Sequence, residues 1–387
     1  MMAGIPVLAA TAPLDSRDVC LEPPAVAMVW TGPDRPHETV AVPGVVLRRG
    51  ETLVAIELAM ACASDAQVVT GHRAQRPPLV LGHEFVGRVV DVADGVRAVD
   101  GATVSIGDRI VWSATVGCRD CDRCRRGLPQ RCRALIAYGH ERLQPRWELT
   151  GGFATHAHLR PGTAIVRVGE TLPAEVLAPA TCGTATAWAA LESADEVLDV
   201  NGAAMLVLGA GLVGITACAM ASDRGATVVV ADPDPARRAL AARFGAARTV
   251  DPDAPGAIDD ALAGIGAPEY EIVLEASGAA RAQRAAVDTV GVGGVVVLVG
   301  APSAEALAVD AERLVRELIT IRGVQDYAPR HLDRAVGYLR ERGTAHPFLE
   351  LVNARYPLAQ IDQALAAAAA GTSVRVAVDP RDARRRR

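Results

Sequence analysis

Lysine is absent from all 387 residues, so the 40 basic side chains are all arginine. That absence excludes Schiff-base enzymes, P-loop NTPases with their phosphate-binding lysine, and protein kinases with their strand lysine. The Ala-, Arg-, Val- and Gly-rich composition reads as mutational bias, yet it has a chemical consequence. Any anion bound here must be held by arginine, by backbone N–H groups or by a metal. Aromatic residues are also scarce, at four Trp, five Tyr and four Phe, while half of all residues are apolar. The core is therefore expected to be Val, Leu, Ile and Ala. A net charge of −5 argues against a nucleic acid as partner. No apolar run reaches the ~18 residues that a membrane-spanning helix needs. The start, MMAGIPVLAATAPLD, lacks the basic region of a signal peptide. A cytoplasmic protein with no membrane partner is expected, and Arg384 to Arg387 read as a solvated basic end.

At ~150 residues per domain the length predicts two or three domains. Residues 1–24 are Pro-rich and aperiodic, and read as an extension. From Ala25 to Val168 short β-like runs alternate with Gly and Pro: TLVAIEL, EFVGRVVDV, RIVWSATV, GGFATHAHL and TAIVRV. The rhythm changes near Thr184. A helix (TATAWAALESA), a buried strand (AAMLVLGA), a second helix, the strand TVVVAD, the helix PARRALAARFGA and the strands EIVLEAS and GGVVVLVG follow in turn. Strands alternating with helices predict βαβ units and a parallel sheet. After Tyr327 a helix, RHLDRAVGYLRERG, and a last strand, SVRVAVDP, are expected to return to the first domain.

Gly209, Gly211 and Gly214, with Ala210, Leu212 and Val213 between them, follow a predicted strand and open a predicted helix. In that setting the glycines permit a tight turn, close approach of a pyrophosphate and helix-on-strand packing. The helix N-terminus then offers N–H groups to phosphate. Asp232 closes the next strand, where a carboxylate accepts from ribose hydroxyls and repels a 2′-phosphate. NAD is therefore expected, with NADP kept open by the nearby Arg237 and Arg238.

Four of the eight cysteines are bunched: Cys118, Cys121, Cys124 and Cys132. Four thiolates this close can surround one tetrahedral zinc, with Arg119, Arg123, Arg125 and Arg126 offsetting its charge. A ferredoxin cluster would instead need a fourth cysteine three residues on, followed by proline. Cys62, His83 and Cys182 are scattered through the chain. Together they would leave an open position on a catalytic zinc; apart they would be buried core residues. Cys20 and Cys218 have no evident partner.

With CASD at 62–65, GHE at 82–84, GDR at 107–109, the four-cysteine lobe, Cys182 and GAGLVG in order, the chain resembles the zinc-dependent medium-chain alcohol dehydrogenases from about Ala25 to Asp379. The resemblance implies an α/β plus β-rich fold, in which a GroES-like catalytic domain is split around a Rossmann doubly wound parallel-sheet domain. The implied bounds are 25–183 and 327–387 for the first, with a zinc lobe about 115–135, and 184–326 for the second. It implies two zinc ions per chain, one on Cys62, His83 and Cys182 and one on the four bunched cysteines. It places the Ser64 hydroxyl on the oxygen of the reacting alcohol, Asp65 against His83, and Glu84 beside the metal. Thr186 would lie near the nicotinamide and Arg375 near the pyrophosphate. A homodimer or homotetramer is implied as well. One position departs from the family: its relay histidine, three residues after Ser64, is Gln67 here. Glutamine cannot ionise near neutral pH, so the last proton step falls to the ribose and water, or to His72.

The segments GHEFVGRVV, GDRIVWSATVGCRDCDRCRRGLPQRC, YGHERL, GGFATHAHLRPGTAIV and TIRGVQDYAPRHLDRAV are similar to the phosphonate-associated branch of that family. The similarity implies an alcohol–aldehyde pair carrying a phosphonate, such as hydroxyethylphosphonate and phosphonoacetaldehyde. Without lysine, a forked arginine contact would have to hold the phosphonate. Arg73 in the loop GHRAQRPP, which also carries Arg76, is the first candidate, and Arg330 with His331 the second. A neutral polyol or secondary alcohol is the alternative substrate, and a non-catalytic NAD-binding protein the remote one.

Overall fold

The computed structural model describes residues 16–300 and 305–381. The start of the expected extension and the basic tail lie outside them. Residues 16–24 do not form an extension: they open the strand Ser16–Trp30, which pairs antiparallel with Glu38–Arg48. The Pro-rich segment Glu22-Pro23-Pro24 falls where the register shifts, between Cys20 and Ala25. Proline carries no N–H for a ladder, so a bulge is where a strand tolerates it.

A seven-stranded sheet forms the body of this first region. Its order runs Ile165–Arg167, Arg109–Trp112, Glu84–Val92, Thr52–Ala61, Arg375–Asp379 and Val352–Pro357, with His156–Leu159 also paired to Thr52–Ala61. The last strand of the chain thus inserts beside the third, with Val376 opposite Ala61.

The second region is a six-stranded sheet ordered Arg248–Val250, Thr227–Ala231, Ala204–Leu208, Tyr270–Glu275, Val290–Leu298 and Thr320–Gly323, all parallel. The chain order reverses on either side of Ala204–Leu208, which places a crevice at the carboxyl ends of Ala204–Leu208 and Tyr270–Glu275. Helix Leu212–Asp223 is buried along most of its length, and its Ala217, Cys218, Ala219 and Ala221 leave room for close packing. The main core is aliphatic, as the scarcity of aromatics requires, and runs continuously from Met60 and Val111 of the first sheet to Val207 and Val230 of the second. That continuity fixes the two sheets on either side of one cleft. No helix among the described residues is long and apolar enough to cross a membrane.

Candidate active site

Helix Ala63–Val69 begins immediately after the strand Thr52–Ala61, with Cys62 as its N-cap. The cap is closed by Asp65, whose Oδ2 accepts from the Cys62 N–H at 3.0 Å. Its other oxygen accepts from Gly82 N–H (3.4 Å) and from His83 Nδ1–H (3.2 Å). Asp65 is wholly buried. One carboxylate therefore fixes both a cysteine and a histidine that are twenty-one positions apart, and leaves His83 Nε2 free as a ligand atom.

Ligand atoms of Cys62, His83 and Glu84 all lie within 4.8 Å of one another. Cys182 joins this group through a hydrogen bond with Cys62 rather than as a member of the tight trio. That contact, with help from Arg375 and His83, holds the Cys62 thiol well below the ordinary thiol range. The same contact and burial push Cys182 up. Two sulfurs, an imidazole and a carboxylate in a buried pocket are a donor set for zinc. Glu84 is itself buried, which pushes its carboxyl up to about 7, while Arg375 works in the opposite direction. Arg375 Nε donates to both Glu84 oxygens, and Nη1 donates to the Val374 carbonyl. The structure thus binds Arg375 to Glu84 rather than leaving the whole guanidinium for a pyrophosphate. The Ser64 hydroxyl, in the first turn of helix Ala63–Val69, has no bonded partner among the described residues.

The four bunched cysteines also meet, with all sulfurs within 4.8 Å. Backbone N–H groups surround them: Cys118 and Ala134 donate to Cys132 Sγ, and Asp120 and Cys121 donate to Cys118 Sγ. Such donors lower the Cys121 thiol to about 6, chiefly through the Arg133 N–H. Cys124 is pushed up to about 12 by desolvation and the neighbouring sulfurs. Four thiols this close cannot all ionise unaided, and a cation resolves the conflict. The flanking arginines do not face the sulfurs as expected. Arg125 pairs with Asp120 and Arg126 with Asp122, while Arg119 and Arg123 donate to the Gly162 and Arg131 carbonyls.

Across the cleft, Gly209 has φ +102° and Gly211 caps the helix Leu212–Asp223. A Cβ at Gly214 would stand 1.9 Å from the Gly209 carbonyl oxygen, whereas nothing lies within 4 Å of one at Gly211. The loop is closed on its protein side and open on its outer side, as a phosphate cradle requires. Asp232 Oδ2 accepts from Ala210 N–H at 2.7 Å and Oδ1 from Asp234 N–H at 2.9 Å. Arg237 and Arg238, the residues that kept NADP open, are both engaged. Arg237 donates to the Gly371 carbonyl, and Arg238 donates to the Asp232 and Pro233 carbonyls and pairs with Asp251. Thr186 Oγ1 donates to the Cys182 carbonyl (2.7 Å), placing Thr186 one helical turn from the metal donors.

Residues 48–170 match the family described as "Alcohol dehydrogenase GroES-like domain", and residues 213–345 match "Zinc-binding dehydrogenase". The chain is 32% identical to a geraniol dehydrogenase of Castellaniella defragrans, over 77% of this chain and 82% of that one. It is 30% identical to an L-threonine 3-dehydrogenase of Streptomyces avermitilis, over 87% and 94%. The chain belongs to the zinc-binding alcohol dehydrogenase family. An alcohol dehydrogenase from Thermotoga maritima has the same architecture, with a TM-score of 0.84 at 26% identity, covering 92% of this chain and 99% of that one. This dehydrogenase is accordingly an oxidoreductase acting on CH–OH groups, in a family that works with zinc and a nicotinamide cofactor.

Several expected substrate contacts are placed elsewhere. Arg330 donates through Nε and Nη2 to Glu192 (3.0 and 2.7 Å), so its charge is neutralised by a neighbouring helix. His331 is buried, accepts from Ala328 N–H and donates to the same Glu192. Neither is free for a substrate. Arg76 is exposed and makes no printed side-chain contact, and Gln67 is exposed as well. His72 donates through Nδ1 to the Thr70 hydroxyl (2.8 Å), which itself donates to the Ala66 carbonyl. Arg73 is exposed, has no side-chain partner among the described residues, and is felt electrostatically at both His140 and Asp326.

Those last two residues escaped the sequence reading. His140 stacks on His83 at 5.5 Å between ring centroids, and its buried Nδ1 has no partner. Burial, with the charges of His83 and Arg73, pushes His140 down to about 4. Asp326 lies on the facing segment 324–327. The only signal for His140 was a lone histidine in YGHERL, a segment with neither strand nor helix period. Asp326 gave none.

Proposed function

We propose that this enzyme is an NAD-linked, zinc-dependent alcohol dehydrogenase or aldehyde reductase whose small substrate carries an anionic group, such as a phosphonate. When bound, zinc supplies Lewis acidity to the carbinol or carbonyl oxygen, and the nicotinamide exchanges hydride with the carbon. Cys62, His83 and Cys182 would hold that metal, with Glu84 beside it, and the cysteines at 118, 121, 124 and 132 would hold the structural ion. Asp65 fixes the His83 tautomer. Ser64, unpartnered in the first turn of its helix, is placed to hold the substrate hydroxyl proton. The residues Gly209 to Gly214 would receive the pyrophosphate. Asp232 supports NAD: its carboxylate closes the strand at the ribose position, and the two arginines that could have met a 2′-phosphate are bonded elsewhere.

The anionic substrate rests on one observation, the unpaired Arg73 guanidinium beside His140 and Asp326. An arginine with no protein partner, beside the ring that covers His83, is suited to a forked contact with phosphonate oxygens. A neutral polyol or secondary alcohol is the second reading, favoured by the Asp326 carboxylate, which would repel a dianion. NAD-linked rates on matched phosphonate and neutral alcohols decide between them. Arg73→Ala should lower kcat/KM for the phosphonate by about 10-fold or more and spare a neutral alcohol of similar size. Equal loss on both would remove the anionic substrate.

A further inference from the structure

The segment after the last parallel strand, Thr320–Gly323, forms one wall of the cleft. Two anchors hold it. Arg131 Nη1 donates to Gln325 Oε1 at 2.8 Å, tying the wall to the four-cysteine lobe. The Tyr327 hydroxyl donates to the Thr181 carbonyl, one residue before Cys182, and accepts from Ala114 N–H. Between these anchors Asp326 has φ +53°, in the left-handed region. Aspartate is among the few non-glycine residues that tolerate it, and such outliers cluster where a side chain must be aimed. The carboxylate is solvent-accessible, yet has no hydrogen bond or ion pair among the described residues. Three charged or chargeable groups surround it at longer range: His83, Arg73 and Arg131. Arg73 is likewise unpaired, and the His140 Nδ1 beside it has no partner. Unsatisfied polar groups grouped around the metal donors are a recognition surface awaiting a polar molecule.

We infer that Asp326 is a specificity-determining residue that accepts a hydrogen bond from a second donor group of the substrate, an ammonium or a hydroxyl, one carbon away from the reacting carbinol. Arg73 and Asp326 then read opposite ends of one small molecule, an anion and a donor. The inference rests on the reading that the carbinol reacts beside Cys62 and His83. It defines the substrate class as hydroxylated or aminated alcohols that also bear an acidic group, and it disfavours purely hydrocarbon alcohols.

The test uses the zinc-loaded enzyme with NAD and three probes that share one anionic end: 2-hydroxypropylphosphonate, its 3-hydroxy derivative and its 3-amino derivative. Wild type should prefer the better donor-bearing probe over the parent by about 10-fold or more in kcat/KM. Asp326→Gly, which suits the left-handed backbone and removes the carboxylate, should bring that ratio within about 2-fold while leaving the parent compound little changed. Asp326→Asn separates the two donors. It keeps an acceptor for a hydroxyl and loses the attraction for an ammonium, so only an ammonium preference should collapse. A wild type without preference for either donor, or a ratio that survives Asp326→Gly, overturns the assignment and leaves the dehydrogenase reading standing. No turnover of any probe or of neutral alcohols would overturn both.

Discussion

Arg375 Nε donates to both carboxylate oxygens of Glu84, at 2.9 and 2.8 Å, in a site where Glu84 is fully buried and Arg375 is 9% exposed. The pair joins the last strand of the chain to the strand that follows His83. Removing one buried partner leaves the other as an uncompensated charge, which costs about 3–5 kcal/mol. Arg375→Met should therefore lower the denaturant midpoint sharply. The double variant with Glu84→Gln should recover much of the loss. Equal destabilisation in single and double variants would mean that the two charges are not coupled.

Asp232 should govern cofactor choice. With Arg237 and Arg238 already bonded to carbonyls and Asp251, its carboxylate is the charged group left at the ribose position. Asp232→Gly is expected to raise the NADP-to-NAD ratio of kcat/KM by about 10-fold or more. The same change removes an acceptor from Ala210 N–H, so a lower melting temperature should accompany it. An unaltered ratio would place the ribose elsewhere.

Acid stability should depend on Asp223. Burial works against its ionised form, but hydrogen bonds from Arg342, His346 and Tyr338 prevail and hold its carboxyl at about 2. The unfolded chain binds this proton at 3.8, so the contribution is complete above that pH and is lost as pH falls towards about 2. Its size is about 2 kcal/mol. Asp223→Asn should reduce stability at pH 7 by about that amount and flatten the loss between pH 4 and 2. A variant with an unaltered acid limb would show that other carboxylates set it.

The features legible in the sequence were those whose chemistry depends on near neighbours. The Gly209–Gly214 turn, Asp232 at the end of the next strand, and four cysteines within one loop each announce themselves by spacing. The parallel sheet followed from alternating strand and helix patterns. What could not be read depended on contacts between distant segments. Residues 16–24 are irregular and Pro-rich alone, and become a strand only because Gly44 to Arg48 pair with them. Arg330 is a free cation in the sequence, and Glu192 on another helix neutralises it. His140 and Asp326 carry no motif, and acquire meaning only when the lobe and the wall after the parallel sheet converge on His83. Arg73 lies between the two cases: its loop pointed to the cleft, but its lack of a partner could be seen only in the fold.

The most direct test of the central claim is a zinc titration of metal-depleted protein, following NAD-linked alcohol oxidation against metal bound per chain. Two zinc ions should bind. Oxidation should rise only as the site containing Cys62 and His83 fills, and Cys62→Ser protein should hold about one ion and no activity. Full NAD-linked activity in Cys62→Ser protein carrying a single zinc would contradict the account.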